Sequence, residues 1–155
     1  MSSDIQVREY RPEDFSALYK LDRACFESGI AYSKNTLRYF LELPASTCVL
    51  ATIEEDIAGF IVSEMDGARA HIITLDVAEK YRRRGIGTVL VDAVEHRLAR
   101  LGVRSVLLET AIDNDAAVSF WQRHGYQTLG TLKRYYLNRI DAHQMRKFLP
   151  PHDNV

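Results

Sequence analysis

Arg82-Arg83-Arg84-Gly85-Ile86-Gly87-Thr88 places three guanidinium groups and two glycines in seven consecutive residues. Glycines carry no Cβ, so successive backbone N–H groups there can converge on an anion. An amphipathic segment follows at once, and the start of a helix brings the positive end of its dipole to the same point. Arginine side chains add charge-assisted hydrogen bonds to phosphate oxygens. The stretch therefore holds every part of a diphosphate cradle; a solvated basic turn ahead of a helix is the competing account. Two common cradles do not fit. A Walker A loop needs Lys-Ser or Lys-Thr after its last glycine, and Gly87 is followed by Thr88-Val89. The dinucleotide fingerprint needs a third glycine at position 90, which is leucine.

Two titratable side chains flank this loop in sequence. Glu109 interrupts the apolar run of Val103–Thr110, and glutamate is almost never buried without a partner, so function explains it better than packing. His71 opens the strand-like His71-Ile72-Ile73-Thr74-Leu75-Asp76-Val77, where a hydrogen-bonded structural histidine is an equally good account. A carboxylate or imidazole within reach of a substrate can take its proton, directly or through one water. Cys25 and Cys48 lack the spacing of a metal site or a disulfide scaffold and read as buried small hydrophobes. No histidine pair stands at i, i+4, and no metal is expected.

These residues need elements to hold them. Ile5–Tyr10 alternates with the period of a half-buried strand. Arg11-Pro12-Glu13-Asp14 breaks it and leads a helix with Phe15, Leu18, Leu21 and Cys25 on one face, the helical region closing at Gly29. Ser33 is placed to cap a second helix that turns Leu37, Phe40 and Leu41 inward. Thr47–Ile53 and Ile57–Met65 form a hairpin through Glu54-Glu55-Asp56, and a turn at Asp66-Gly67 leads to the strand His71–Val77. The glycine loop then opens a helix over Thr88–Leu101 with Leu90, Val94, Leu98 and Leu101 on one face and Gly102 as its stop. Val103–Thr110 is a strand with both faces covered. Asp113 or Asn114 caps a short helix holding Ala117, Phe120 and Trp121, closed by Gly125. Tyr126–Phe148 makes two strands around a loop at Asn138–Asp141. The expected fold class is α/β (α+β), one mixed, mostly antiparallel sheet with a central parallel β-α-β crossover flanked by helices.

At 155 residues the chain suits one domain, expected over 1–149 with a loose tail at 150–155. An apolar share of 46% and a charged share of 26% exclude a disordered chain. A net charge of −1 argues against a dedicated nucleic-acid binder. Neither a bilayer-spanning apolar run nor a secretory leader is visible, Met1-Ser2-Ser3-Asp4 lacking both basic head and apolar stretch, so a cytoplasmic chain without a membrane partner is expected.

Arg82-x-x-Gly85-x-Gly87 resembles the pyrophosphate-binding Gln/Arg-x-x-Gly-x-Gly/Ala loop of the GNAT superfamily of N-acetyltransferases. Asn114 and Phe120-Trp121-x-x-x-Gly125-Tyr126 are similar to the family's Asn…Phe-Tyr-x-x-x-Gly-Phe segment, and the element order agrees over nearly the whole chain. His71–Leu75, Leu108-Glu109-Thr110 and Tyr135-Tyr136 with Asp141-Ala142 resemble segments of protein N-terminal acetyltransferases, the ribosomal-protein-alanine type among them. The resemblance implies acetyl-CoA as cosubstrate. It implies that Arg82–Thr88 hold its phosphates, that Leu75, Asp76 and Val77 pair with its pantetheine, and that Asn114 bonds it by side chain, with Ala117 and Trp121 beside it. It implies that Phe26, Tyr32, Tyr135 and Tyr136 contact a peptide N-terminus; an aromatic strand pair is the plain account of the last two.

An α-amino group, with a pKa of about 7.7–8.0, must lose a proton before it attacks a thioester. Glu109 and His71 could take that proton if their strands are parallel neighbours, and direct attack needs no enzyme nucleophile. Many relatives carry tyrosine where Trp121 stands, and indole is no comparable acid, so solvent or another tyrosine such as Tyr135 must protonate the departing thiolate. The reading is N-acetyl transfer to a protein or peptide N-terminus by a monomer or weak homodimer. A small-molecule amine as acceptor, or a non-catalytic acyl-CoA-binding role, are the alternatives.

Overall fold

The hydrophobic alternation of the chain closes into a single seven-stranded sheet, described by a computed structural model over residues 4–151. The strands are β1 (Ile5–Glu9), β2 (Ser46–Ile53), β3 (Asp56–Asp66), β4 (Arg69–Val77), β5 (Ser105–Ala111), β6 (Gln127–Tyr136) and β7 (Ile140–Phe148). Their spatial order is β1-β2-β3-β4-β5-β7-β6, antiparallel throughout except where β4 meets β5. Helices α1 (Phe15–Cys25), α2 (Lys34–Glu42), α3 (Ile86–Arg100) and α4 (Asp115–Arg123) complete the fold. The expected mixed sheet with its parallel crossover through α3 is what forms. Residues 1–3, and 152–155 of the expected tail, lie outside the described residues. Among the described residues no helix is long and apolar enough to cross a membrane.

Alternation along the central strands splits the core in two. Val49, Ala51 and Ile53 of β2 face α3, where Ile86, Leu90, Val91, Val94 and Leu98 supply the opposing stripe. Cys48 and Leu50 of the same strand face the other way, toward Phe15, Leu18, Leu37 and Leu41 of α1 and α2. Truncating a fully buried leucine such as Leu90 or Leu98 to alanine in such packing costs about 2–5 kcal/mol.

Several expectations shift at element edges. Helix α3 begins at Ile86, not Thr88, because Gly85 caps it in the left-handed conformation, φ 81°. Leu101 is the helix's last cap and lies 55% exposed, and Val7 on edge strand β1 is 42% exposed. On α1 the third buried residue is Asp22, beside Phe15 and Leu18. Cys25 is only half-buried: its thiol donates to the Val77 carbonyl at 3.4 Å, whereas Cys48 is buried as expected.

Candidate active site

The parallel ladder between β4 and β5 is short. It pairs Arg69 with Ser105, Ala70 with Val106 and His71 with Leu107, and goes no further. Beyond it β4 remains bound to β3 through Val77, and β5 to β7 through Ala111. The two inner edges therefore diverge and leave a wedge in the middle of the sheet. Along the inner edge of 72–77 the Ile73 carbonyl takes the Tyr32 hydroxyl and the Val77 carbonyl takes Cys25 and Arg82, so the main-chain groups between them are what this edge can offer an extended ligand.

Both strands run into helix starts at the open end of this wedge. β4 leads through a turn to the glycine loop and α3. The first hydrogen bond there runs from Val89 N–H to the Gly85 carbonyl, so the N–H groups of Ile86, Gly87 and Thr88 precede the helix's own ladder. Gly85 supplies the positive φ, and Arg83 adopts a left-handed φ of 66° beside it. Gly87 meets a different demand: a Cβ there would lie 3.0 Å from the Phe120 ring of α4. The Ile86 side chain points into the core, leaving its amide as the group it can offer. This arrangement of free amides at a helix start suits an anion.

The three arginines divide their work. Arg82 Nε donates to the Val77 carbonyl at 3.1 Å and its Nη2 approaches Cys25 Sγ at 3.7 Å, so it braces the end of β4. Arg84 stacks on Tyr81, its Cζ 5.5 Å from the ring centre. Arg83 is exposed.

β5 leads to α4, whose cap is Asn114: its Oδ1 accepts from the Ala117 N–H at 3.1 Å. The Asn114 oxygen is thereby spent on the helix, and its amide N–H₂ is the group left for a ligand. Trp121 is a core side chain, 7% exposed and packed edge-on between Phe120 and Tyr126. One contact lies outside the sequence reading: His124 closes α4 with Nε2 at 3.0 Å from Thr88 Oγ1, and its ring packs on Phe120. His124 thus ties α4 to the glycine loop. Its position seven residues after Ala117 gave no chemical signal of that.

At the point where β4 and β5 part, His71 Nε2 lies 2.7 Å from Glu109 Oε1. Because His71 stands opposite Leu107, Glu109 two residues on shares its face of the sheet. The Glu109 side chain is 12% exposed. Tyr135 donates its hydroxyl to the same Oε1 at 3.2 Å. The hydrogen bond to Glu109 holds His71 above its ordinary 6.5, outweighing burial, which acts the other way. The pair's stabilisation is therefore complete below about pH 6.5 and lost as pH rises through the raised value. Burial and the Glu109 carboxylate push the Tyr135 phenol up to about 12. Burial likewise raises Tyr32 and Tyr136.

Two loops close over this pair. Tyr32, between α1 and α2, donates to the Ile73 carbonyl at 3.4 Å. Tyr136 packs edge-on against Tyr135, ring centres 4.8 Å apart. Phe26, partly buried, caps α1 with its N–H on the Asp22 carbonyl. Gly29, at φ 93°, is packed so closely on Leu137 that a Cβ would stand 2.5 Å from that side chain. An ion pair between Arg139 and Glu27 at 3.8 Å spans the same two loops. Aspartate 141 fixes the β6–β7 end by accepting from the Arg134 N–H at 2.9 Å. The four aromatic residues that the resemblance assigns to a peptide thus lie on two segments that pack on each other through Gly29 and Leu137.

Comparison with known proteins agrees with this geometry. The sequence profile of the acetyltransferase (GNAT) family matches residues 15–126. The chain is 37% identical over 123 residues to N-alpha-acetyltransferase 30 of Xenopus laevis, covering 76% of this chain and 45% of that protein. It is 34% identical over 116 residues to N-alpha-acetyltransferase 30 of Schizosaccharomyces pombe, covering 72% of this chain and 77% of that one. The chain thus spans less than half the length of the vertebrate N-alpha-acetyltransferase 30 relatives it matches. Among solved structures, a chain of the NatC complex bound to Gag peptide and CoA superposes with a TM-score of 0.83 at 28% identity, covering 95% of this chain and 99% of that one. The Escherichia coli ribosomal-protein-S18-alanine N-acetyltransferase shares the fold with a TM-score of 0.88 at 20% identity, over 98% of this chain and 99% of that one.

Proposed function

The chain belongs to the GNAT acetyltransferase family, and we propose that within it this protein moves an acetyl group from acetyl-CoA to the α-amino group of a protein or peptide N-terminus. The observation that carries this reading is the His71–Glu109 contact, 2.7 Å across the mouth of the β4–β5 wedge, with Tyr135 on the same carboxylate oxygen. The relatives named N-alpha-acetyltransferase, and the neighbour solved with peptide and CoA, support the same acceptor.

The residues fit acetyl-CoA as cosubstrate. The amides of Ile86, Gly87 and Thr88 would hold its phosphates, the inner edge of β4 at Leu75–Val77 its pantetheine, and the Asn114 amide N–H₂ a carbonyl along it. Bound there, it supplies an activated thioester. Glu109 accepts the proton of the incoming ammonium, directly or through one water, while His71 and Tyr135, both on Oε1, orient the carboxylate and leave Oε2 to receive it. The freed amine attacks the thioester carbonyl directly. Burial raises both thiols, Cys25 and Cys48, above their ordinary range, so neither is a thiolate nucleophile at neutral pH. With Trp121 in the core, protonation of the departing thiolate falls to a phenol of the Tyr32, Tyr135 and Tyr136 group or to water. The proposed setting is the cytoplasm, with the chain as monomer or weak homodimer and no metal, nucleic acid or membrane required.

Incubating the purified protein with acetyl-CoA and a library of N-terminal peptides tests this reading. Free thiol should appear with a subset of peptides, and mass spectrometry should place the acetyl group on the α-nitrogen. Thiol release with small amines alone, or with no acceptor, overturns it.

A further inference from the structure

Two carboxyls lie between α1 and β4 that the proposed chemistry does not use. Asp22 is 0% exposed and Asp76 1%. One oxygen of each is committed: Asp22 Oδ2 accepts from the Tyr32 N–H at 2.7 Å, and Asp76 Oδ1 accepts from the Thr74 hydroxyl at 2.6 Å. The other two, Asp22 Oδ1 and Asp76 Oδ2, are buried without a hydrogen-bond partner, and the two carboxyls adjoin where the end of α1 meets β4. Two ionised carboxylates cannot satisfy these oxygens mutually, because neither has a donor. One proton repairs this: the O–H of one acid donates to the other's free oxygen, and both orphan atoms are satisfied.

The neighbours offer no other remedy. Arg82 is the cation near the pair, and its guanidinium is turned to the Val77 carbonyl and Cys25. The Cys25 and Cys48 thiols and the Tyr32 phenol, which also feel these carboxyls, are all held in their neutral forms by burial. Burial and the adjoining Asp22 hold Asp76 well above the usual carboxylate range.

We propose that Asp22 and Asp76 hold a single proton between them, and that this acid–carboxylate pair positions the α1–α2 loop, through the Tyr32 amide, against strand β4. Asp76 sits in the strand segment whose edge faces the wedge, and Tyr32 belongs to the wall beside Glu109. The pair therefore fixes the spacing of the two sides of the site. Its role in acceptor binding rests on the function proposed above; the shared proton does not.

Two measurements test the shared proton without any substrate. In infrared spectra at pH 5, above the ordinary carboxylate range, the wild-type protein should show the C=O stretch of a protonated carboxylic acid, and Asp76→Asn should lack it. Asparagine keeps a donor toward Asp22 and an acceptor toward Thr74 but does not titrate. An acid raised in the folded state contributes stability at pH values below its unfolded value and loses it as pH climbs toward the folded one. The melting temperature of Asp76→Asn should therefore gain on wild type as pH rises above about 4, until the folded value is passed. A missing acid band, or a gap that stays flat or reverses over that range, overturns the shared proton. For positioning, Asp22→Ala should raise KM for the acceptor peptide about tenfold, by loss of a charge-assisted bond to the loop amide, and Asp22→Asn should restore it. An unchanged acceptor KM in folded Asp22→Ala overturns the positioning role. If the spectroscopic and thermal results hold while no peptide is acetylated, the proposed function fails and the pair stands.

Discussion

Glu109 is the residue on which the chemistry turns. It occupies a strand whose other side chains are apolar or small, is 12% exposed, and accepts from both His71 and Tyr135 on one oxygen. Replacing it by glutamine keeps the size and removes the proton acceptor, so turnover of a reactive peptide should fall about 100-fold or more while the melting curve stays close to wild type. Steady-state kinetics with saturating acetyl-CoA reads this directly, and unchanged turnover removes Glu109 as the base and favours a non-catalytic role for the cleft. Glu109 was legible in the sequence because a carboxylate in an apolar run demands an explanation. Asp22 carried the same signal on α1, four residues after Leu18 on the buried stripe. Its partner Asp76 could not be read, since 54 positions in the chain separate residues that only the α1–β4 contact unites.

Asn114 shows how one side chain serves an element and a ligand at once. Its oxygen caps α4 through the Ala117 amide, and its nitrogen is the donor left over. Asn114→Ala should lose about 1 kcal/mol of stability with the cap. Asn114→Asp should keep the cap, since a carboxylate accepts from the same amide, yet lose affinity for acetyl-CoA because the donor is gone. Thermal unfolding and calorimetric titration separate the two effects; full affinity in Asn114→Asp would make this residue a cap alone. The caps of α2 and α4 were visible in sequence, Ser33 outright and Asn114 as one of two candidates, because capping chemistry is local. Gly87 was recognised as part of the loop, but its close approach to Phe120 depends on how α4 packs on α3. The early start of α3 at Ile86 has the same local origin as the loop itself, the positive φ of Gly85.

Across the whole molecule, the site depends on the sheet splitting at β4–β5 without falling apart. Core packing on both faces resists that, and so does a polar brace on the α3 side. Glu95 of α3 accepts from the buried Tyr126 hydroxyl at 2.8 Å and from Lys147 of β7 at 2.7 Å. Glu95→Ala should cost about 1–3 kcal/mol by leaving the Tyr126 hydroxyl without its acceptor, measurable by denaturant unfolding; a loss below a few tenths would show that the brace carries no load. The sequence by itself determined the order of elements, the glycine-bearing helix start, the two titratable groups and the aromatic segments, because periodicity, capping and turn chemistry act over a few residues. Only the tertiary structure decided that the parallel ladder stops after three pairs, that His71 and Glu109 meet there, and that Gly29 closes on Leu137. Those facts follow from strand register and the packing of distant segments, which no local pattern encodes.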